Sequence, residues 1–177
     1  MLNSMKSRAY AGLAGWQAGM LAALAMLLWL GLTSAWYRHS FWNAADIMAT
    51  TFYGASALGQ GLAWSSFSGI AFYLIVYSLF GAFFGWIMEG AGKRRRLVLL
   101  GILAGGAWYY LWFGLLWIRL NPLVSLYTHD RPMLWGHLLY GAMLGRFPAY
   151  LERPVAPPAS APEPLESGAP ELDASQR

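Results

Sequence analysis

The sequence predicts an all-α membrane protein: a four-transmembrane-helix bundle with an outer-surface amphipathic helix and a disordered, Pro-rich C-terminal tail. Three observations carry that expectation. The 177 residues are 58% hydrophobic and only 11% charged, whereas about a quarter of a soluble domain is charged. The apolar residues gather into four long runs. Basic residues lie between those runs, where topology rules place them, rather than in a patch suited to nucleic acid.

The spans fall at about 11–37, 69–89, 97–118 and 133–148. The first is preceded by Lys6 and Arg8, and Thr33-Ser34-Ala35 has the small-residue look of a cleavage site. A signal-peptide core is about 7–15 residues, so this longer run reads as an uncleaved anchor. The second and third runs each rise roughly 30 Å as helices, the thickness of the hydrocarbon layer. The fourth starts after Pro132, is short, and is expected to end at Pro148. Lys6, Arg8, Lys93, Arg94, Arg95, Arg96, Arg146, Arg153 and Arg177 fall on one side, against Arg38, Arg119 and Arg131 on the other. The richer side is cytoplasmic, which puts both termini inside a bacterial inner membrane. The run Lys93-Arg94-Arg95-Arg96 is a stop signal and a natural contact for anionic lipid headgroups.

The stretch between the first two spans is too polar to cross. Asn43 followed by Asp46 resembles a helix cap with an acid in its first turn. Ile47, Met48, Phe52 and Ala55 recur at helical spacing. Residues 44–59 therefore read as an amphipathic helix on the outer surface. The first 151 residues form the membrane domain. Residues 152–177, rich in Pro, Ala, Ser and Glu, have too little apolar content to fold alone.

Two internal echoes suggest a duplicated helical hairpin. Leu28-Trp29-Leu30-Gly31-Leu32 matches Leu111-Trp112-Phe113-Gly114-Leu115, and Phe80 to Gly85 matches Tyr140 to Gly145. Each span also carries glycines four apart: Gly15 and Gly19, Gly81 and Gly85, Gly101 and Gly105, Gly141 and Gly145. Lipid chains are as apolar as Leu, so small residues that let backbones approach hold helices together in a bilayer. All four pairs lie in the predicted cytoplasmic half, while the outer half is rich in Trp, Tyr and Phe. The expected bundle is pinched inside and splayed outside, its opening filled by rings, by the surface helix or by a ligand.

His137 is the ionisable group that lies well inside an apolar run. It shares a helical face with Tyr140, and Tyr77 is its counterpart in the repeat. Two readings stay open. His137 fixes packing through a hydrogen bond across the bundle, or it ligates the metal of a haem or chlorin pigment. Tyr77, Tyr140, Trp108 and Trp112 complete the candidate ligand-binding set, for a lipid, quinone or pigment. A metal site from His39, His129 and Asp130 is geometrically conceivable, but loop residues at headgroup level explain them as well. Glu89 and Lys93, four apart, read as an ion pair at a helix end. The absence of Cys excludes disulfides and thiolate metal sites. No phosphate loop, metalloprotease helix motif or nucleophile elbow is present, and no catalytic residue is expected.

Trp42-Asn43-Ala44-Ala45 with Phe52-Tyr53-Gly54, then Asn121-Pro122, then His137-Leu138-Leu139-Tyr140-Gly141 with Leu144-Gly145, resemble a loose group of small uncharacterised four-span bacterial inner-membrane proteins. The resemblance covers residues 10–148 and implies the architecture, but no activity. The expected role is a non-catalytic accessory subunit of a larger inner-membrane complex, energy-transducing in kind. Its partners would be membrane lipids and other integral subunits. The alternative is a stand-alone or oligomeric carrier, or a lipid- or quinone-binding protein.

Overall fold

The computed structural model describes residues 2–151; the expected disordered tail, 152–177, lies outside the described residues. The described chain is helical, with no strand. Helix α1 runs Leu2–Arg38, α2 Asn43–Tyr53, α3 Trp64–Ile87 and α4 Arg94–Leu111. A π-helical turn, Trp112–Leu116, carries α4 on into α5, Trp117–Leu120. Then come α6, Pro122–Tyr127, and α7, Asp130–Leu144.

Three of these helices are long and apolar enough to cross a membrane: Met5–Arg38, Trp64–Ile87 and Arg94–Leu120. Helix α7 has only 15 residues, a rise of roughly 22 Å at 1.5 Å per residue. It stops at Leu144 with Gly145 as its cap, earlier than the expected end at Pro148. Pro148 instead sits early in a short 3₁₀ turn, Phe147–Tyr150. Helix α1 begins well before residue 11 and takes Lys6 and Arg8 into its first turns. Their charges do not stop a helix that needs no lipid around its end.

The long helices pair antiparallel, α1 on α3 and α4 on α7, and α1 also packs on α7. The pairs meet backbone to backbone at glycines. A Cβ on Gly15 would lie 3.0 Å from Gly85 Cα, and one on Gly19 would lie 2.9 Å from Gly81 Cα and 3.0 Å from the Tyr77 carbonyl. In the second pair, Gly101 faces Gly145 at 3.1 Å, and Gly105 faces Gly141 at 3.1 Å. Real Cβ atoms almost never come this close to backbone, so any side chain here would push the helices apart.

The contacts correspond. Gly19 meets the carbonyl of Tyr77 as Gly105 meets that of His137, and Gly15 meets that of Gly81 as Gly101 meets that of Gly141. The second sequence echo keeps this register. The first does not: aligning Gly15 with Gly101 sets Trp29 against Leu115, not Trp112.

Helix α2 departs from the expected surface helix. A one-sided helix buries residues three or four apart. Here Ala45, Asp46, Ile47, Met48, Ala49 and Thr50 are buried in succession, so this part of α2 is covered on every side. Gly69 of α3 lets it in, since a Cβ there would lie 2.8 Å from Ala49 N. Asn43 does not cap the helix. The cap position is Trp42, and no side chain bonds there. Asp46 is a tether rather than a cap acid. Its carboxylate accepts from Ser66 Oγ at 2.8 Å and from Gly61 N at 3.1 Å, joining α2 to the turn that starts α3. Asn121 caps α6 through Leu123 N, at 3.2 Å, and its amide donates to Thr50 Oγ1 at 2.8 Å. At the opposite end Glu89 pairs with Arg8, at 3.4 Å, and accepts from Ser7. The expected partner Lys93 is not its partner among the described residues, because α3 ends at Ile87 and a turn separates the two.

Two stability predictions follow from these contacts. Gly141→Leu should cost roughly 3 kcal/mol or more, because the backbone opposite cannot yield. Gly114→Ala, with no neighbour within 4 Å, should stay within about 1 kcal/mol of the parent. Denaturant titration in detergent compares them, and equal losses would refute the glycine account. By the same assay Asp46→Ala should cost about 2 kcal/mol or more and leave the Gly61 N–H unanswered, Ser66 Oγ keeping the Gly61 carbonyl, while Asn43→Ala should cost little.

Candidate functional site

Helix α7 carries His137 into the centre of the bundle, where the ring has no exposure to solvent. Its Nδ1 lies 2.8 Å from the Met133 carbonyl, one turn back on the same helix. A carbonyl can only accept, so Nδ1 carries the hydrogen. In the neutral ring Nε2 is then the acceptor, and Tyr77 Oη donates to it at 2.7 Å from α3. Tyr140 completes the network by donating its hydroxyl to the Tyr77 carbonyl at 2.6 Å. Of the expected ligand set, the structure thus brings His137, Tyr77 and Tyr140 together.

The ring is walled in. Tyr109 of α4, Phe113 of the π turn and Tyr77 of α3 all have centroids within 5.3 to 5.7 Å of it. Tyr109 and Phe113 were missed in the sequence, although they stand four apart on one helical face. Tyr73 stacks on Tyr77 at 4.2 Å and extends the cluster along α3. Trp108 and Trp112 stand to one side. Trp108 stacks on Phe80 at 4.1 Å and meets Trp112 edge-on, at 82°. They fill the space between α3 and α4 rather than face His137. Their indole N–H groups are buried without a hydrogen-bond acceptor. The edge-on arrangement is the one in which an N–H can rest on a neighbouring π face.

These residues do not fit a haem or chlorin. Axial ligation needs a ring nitrogen with a free lone pair and open space in front of it. The Nε2 lone pair is taken by Tyr77, Nδ1 is taken by Met133, and rings close off the surroundings. The site is built to hold helices in place. A donor and an acceptor in line, enclosed by rings, fix α7 against α3 at one rotation and one height.

The remaining candidates are scattered. His39 follows α1 with φ 58°, a left-handed turn that polar residues tolerate better than most. His129 Nδ1 accepts from Arg38 at 3.1 Å and is therefore engaged. Among the described residues no three His, Cys, Asp or Glu side chains converge as a metal site would require. Lys93, Arg94, Arg95 and Arg96 are all exposed at the start of α4, at the far end from His129.

Compared with known families, curated proteins and solved structures, the chain gives no match.

The packing role of the network gives a graded expectation. Tyr77→Phe keeps the ring and removes the donor, so it should cost about 0.6–1.7 kcal/mol, from the average to the largest value found for hydrogen bonds between membrane helices. His137→Ala also empties space among the three rings of Tyr77, Tyr109 and Phe113 and should cost several times more. Unfolding titrations of both variants decide it; a His137→Ala protein as stable as the parent would sink the packing role.

Proposed function

We propose that this chain is a non-catalytic, four-pass subunit of a larger inner-membrane assembly, with both termini on the cytoplasmic side. The observation that supports it best is the closed interior. The ionisable group at the bundle centre has both nitrogens engaged and is enclosed by rings. That leaves it no free lone pair for a substrate, pigment or proton.

The fourth pass is α7. It is short, but its glycines set it against α4 along the same stretch that α3 occupies on α1. The matching contacts of the two pairs favour a duplicated hairpin. The exposed Lys93–Arg96 run gives the orientation and offers its charges to anionic headgroups of the inner leaflet.

With the glycine faces consumed inside the chain, partner subunits meet its larger apolar faces. Helix α4 presents Leu99, Leu103 and Tyr110, which are more than half exposed. A stand-alone lipid- or quinone-binding protein is the rival, and one observation favours it: a cleft of about 610 Å³ between α1 and α7. Gentle detergent extraction, a native gel and mass spectrometry separate the two. The subunit reading expects migration with other integral proteins at several times the chain's 19.6 kDa. A lone monomer or small homo-oligomer would refute it.

A further inference from the structure

The end of the bundle that holds α2 carries a recess unused by the packing just described. It opens between the last turns of α1 and the start of α7. The mouth is the cleft of about 610 Å³, walled by Trp29, Tyr37, His129, Arg131 and Trp135. Thr33, Tyr37, His129 and Pro132 also line a small neighbouring cavity of about 40 Å³, whose wall includes Arg38, Leu30, Ile47 and Met48. The walls are fixed. Trp29 Nε1 donates to the Pro132 carbonyl at 2.9 Å, and Arg38 donates to His129 Nδ1 at 3.1 Å. Among the side chains the structure describes, which leave out that of Asp130 beside Arg131, neither Arg38 nor Arg131 is in an ion pair. The acid of α2, Asp46, is committed to Ser66 and Gly61.

Two guanidinium groups here run against the topology bias, which thins basic residues on the translocated side. A fixed anion would give them a use. Guanidinium forks match phosphate oxygens in pairs, and Trp and Tyr rings sit at headgroup depth. Within about one turn of the mouth's Trp29 and Trp135, Leu32 and Leu139 are exposed apolar residues on the two helices. Charge, aromatic rim and apolar flank together describe a headgroup and the chains beneath it.

We propose that this cleft binds an anionic phospholipid of the outer leaflet, its phosphate between Arg38 and Arg131 and its glycerol region against Trp29 and Trp135. The assignment rests on the membrane-spanning reading above but not on partner subunits. The short cavity takes no acyl chain; the chains lie along α1 and α7.

Native mass spectrometry of the delipidated full chain, titrated with phosphatidylglycerol or phosphatidylcholine, tests it. The expected preference for phosphatidylglycerol is roughly tenfold or more, and Arg38→Gln/Arg131→Gln should remove most of it. Arg131→Gln alone leaves the Arg38–His129 bond intact and should remove about half of the preference in logarithmic terms. Arg119→Gln, an outer arginine that lines neither the cleft nor the cavity, should leave it unchanged. No preference in the parent chain would overturn the proposal. So would a preference that survives the double variant, one that instead disappears when Lys93, Arg94, Arg95 and Arg96 are changed to Gln, or equal binding of soluble glycerol phosphate. Retention of the parent chain in carbonate-washed membranes checks the spanning reading separately.

Discussion

The fold depends on the approach of bare backbones at glycine. In water, two apolar helices are driven together by burial; in lipid, that drive is missing and contact quality decides. Gly15, Gly19, Gly81 and Gly85 bring α1 and α3 to a separation at which a Cβ on one would nearly overlap the other's backbone. Gly101, Gly105, Gly141 and Gly145 do the same for α4 and α7. At such distances Cα–H groups meet carbonyl oxygens, and many small dispersion gains add up. The cost is that no side chain fits in the contact itself, so large residues pack beside it: Phe84 meets Phe147 at the glycine end, Phe80 stacks on Trp108 between α3 and α4, and Phe72 meets Trp117 toward the other end.

That other end is held by different chemistry. Helix α2 enters between α1, α3 and α6, and its buried stretch includes an acid and a threonine. Buried polar groups cost free energy unless they are paired. Each has a partner from another element: Asp46 from Ser66 and Gly61, Thr50 from Asn121. Hydrogen bonds specify direction and register, which a smooth stack of rings does not. The inserted helix is thus fixed at both of its flanks, α3 on one and α6 on the other.

This division explains what could be read from the sequence. Glycine spacing on a helix is a local pattern, and so the contact residues were legible before any partner helix was known. The Tyr77–His137 pairing was legible because the two fall at matching places before their glycines. The role of Asp46 was not. An acid three residues after Asn43 has the local look of a first-turn acid, and its true partners stand 15 and 20 residues away. Burial of α2 on all sides escaped for a related reason: Ala45, Ala49 and Thr50 are small or polar, and periodicity counts only large apolar residues. The Trp29–Trp112 echo does not match the packing because Trp29 stands 14 residues after Gly15, whereas Trp112 stands only 11 after Gly101. Asn121-Pro122 was a missed signal, since Asn before Pro is a cap followed by a first helical residue.

The position of His137 then has a structural reason. The last glycine of each contact, Gly19 and Gly105, faces the carbonyls of Tyr77 and His137. These are the residues at which backbone contact gives way to rings. Their side chains point toward each other and bond, and Tyr140 returns a hydroxyl to the same Tyr77 carbonyl that covers Gly19. The two glycine pairs are therefore joined where each of them ends. Imidazole suits that point better than a phenol would, because one ring offers a donor on one edge and an acceptor on the other. The donor satisfies its own helix and the acceptor takes the neighbour's hydroxyl, so a polar ring can be buried with nothing left unpaired. An ionisable residue deep in a membrane span usually signals a site; in the buried ring of His137 both polar atoms are taken, one by Met133 of its own helix and one by Tyr77 across the bundle.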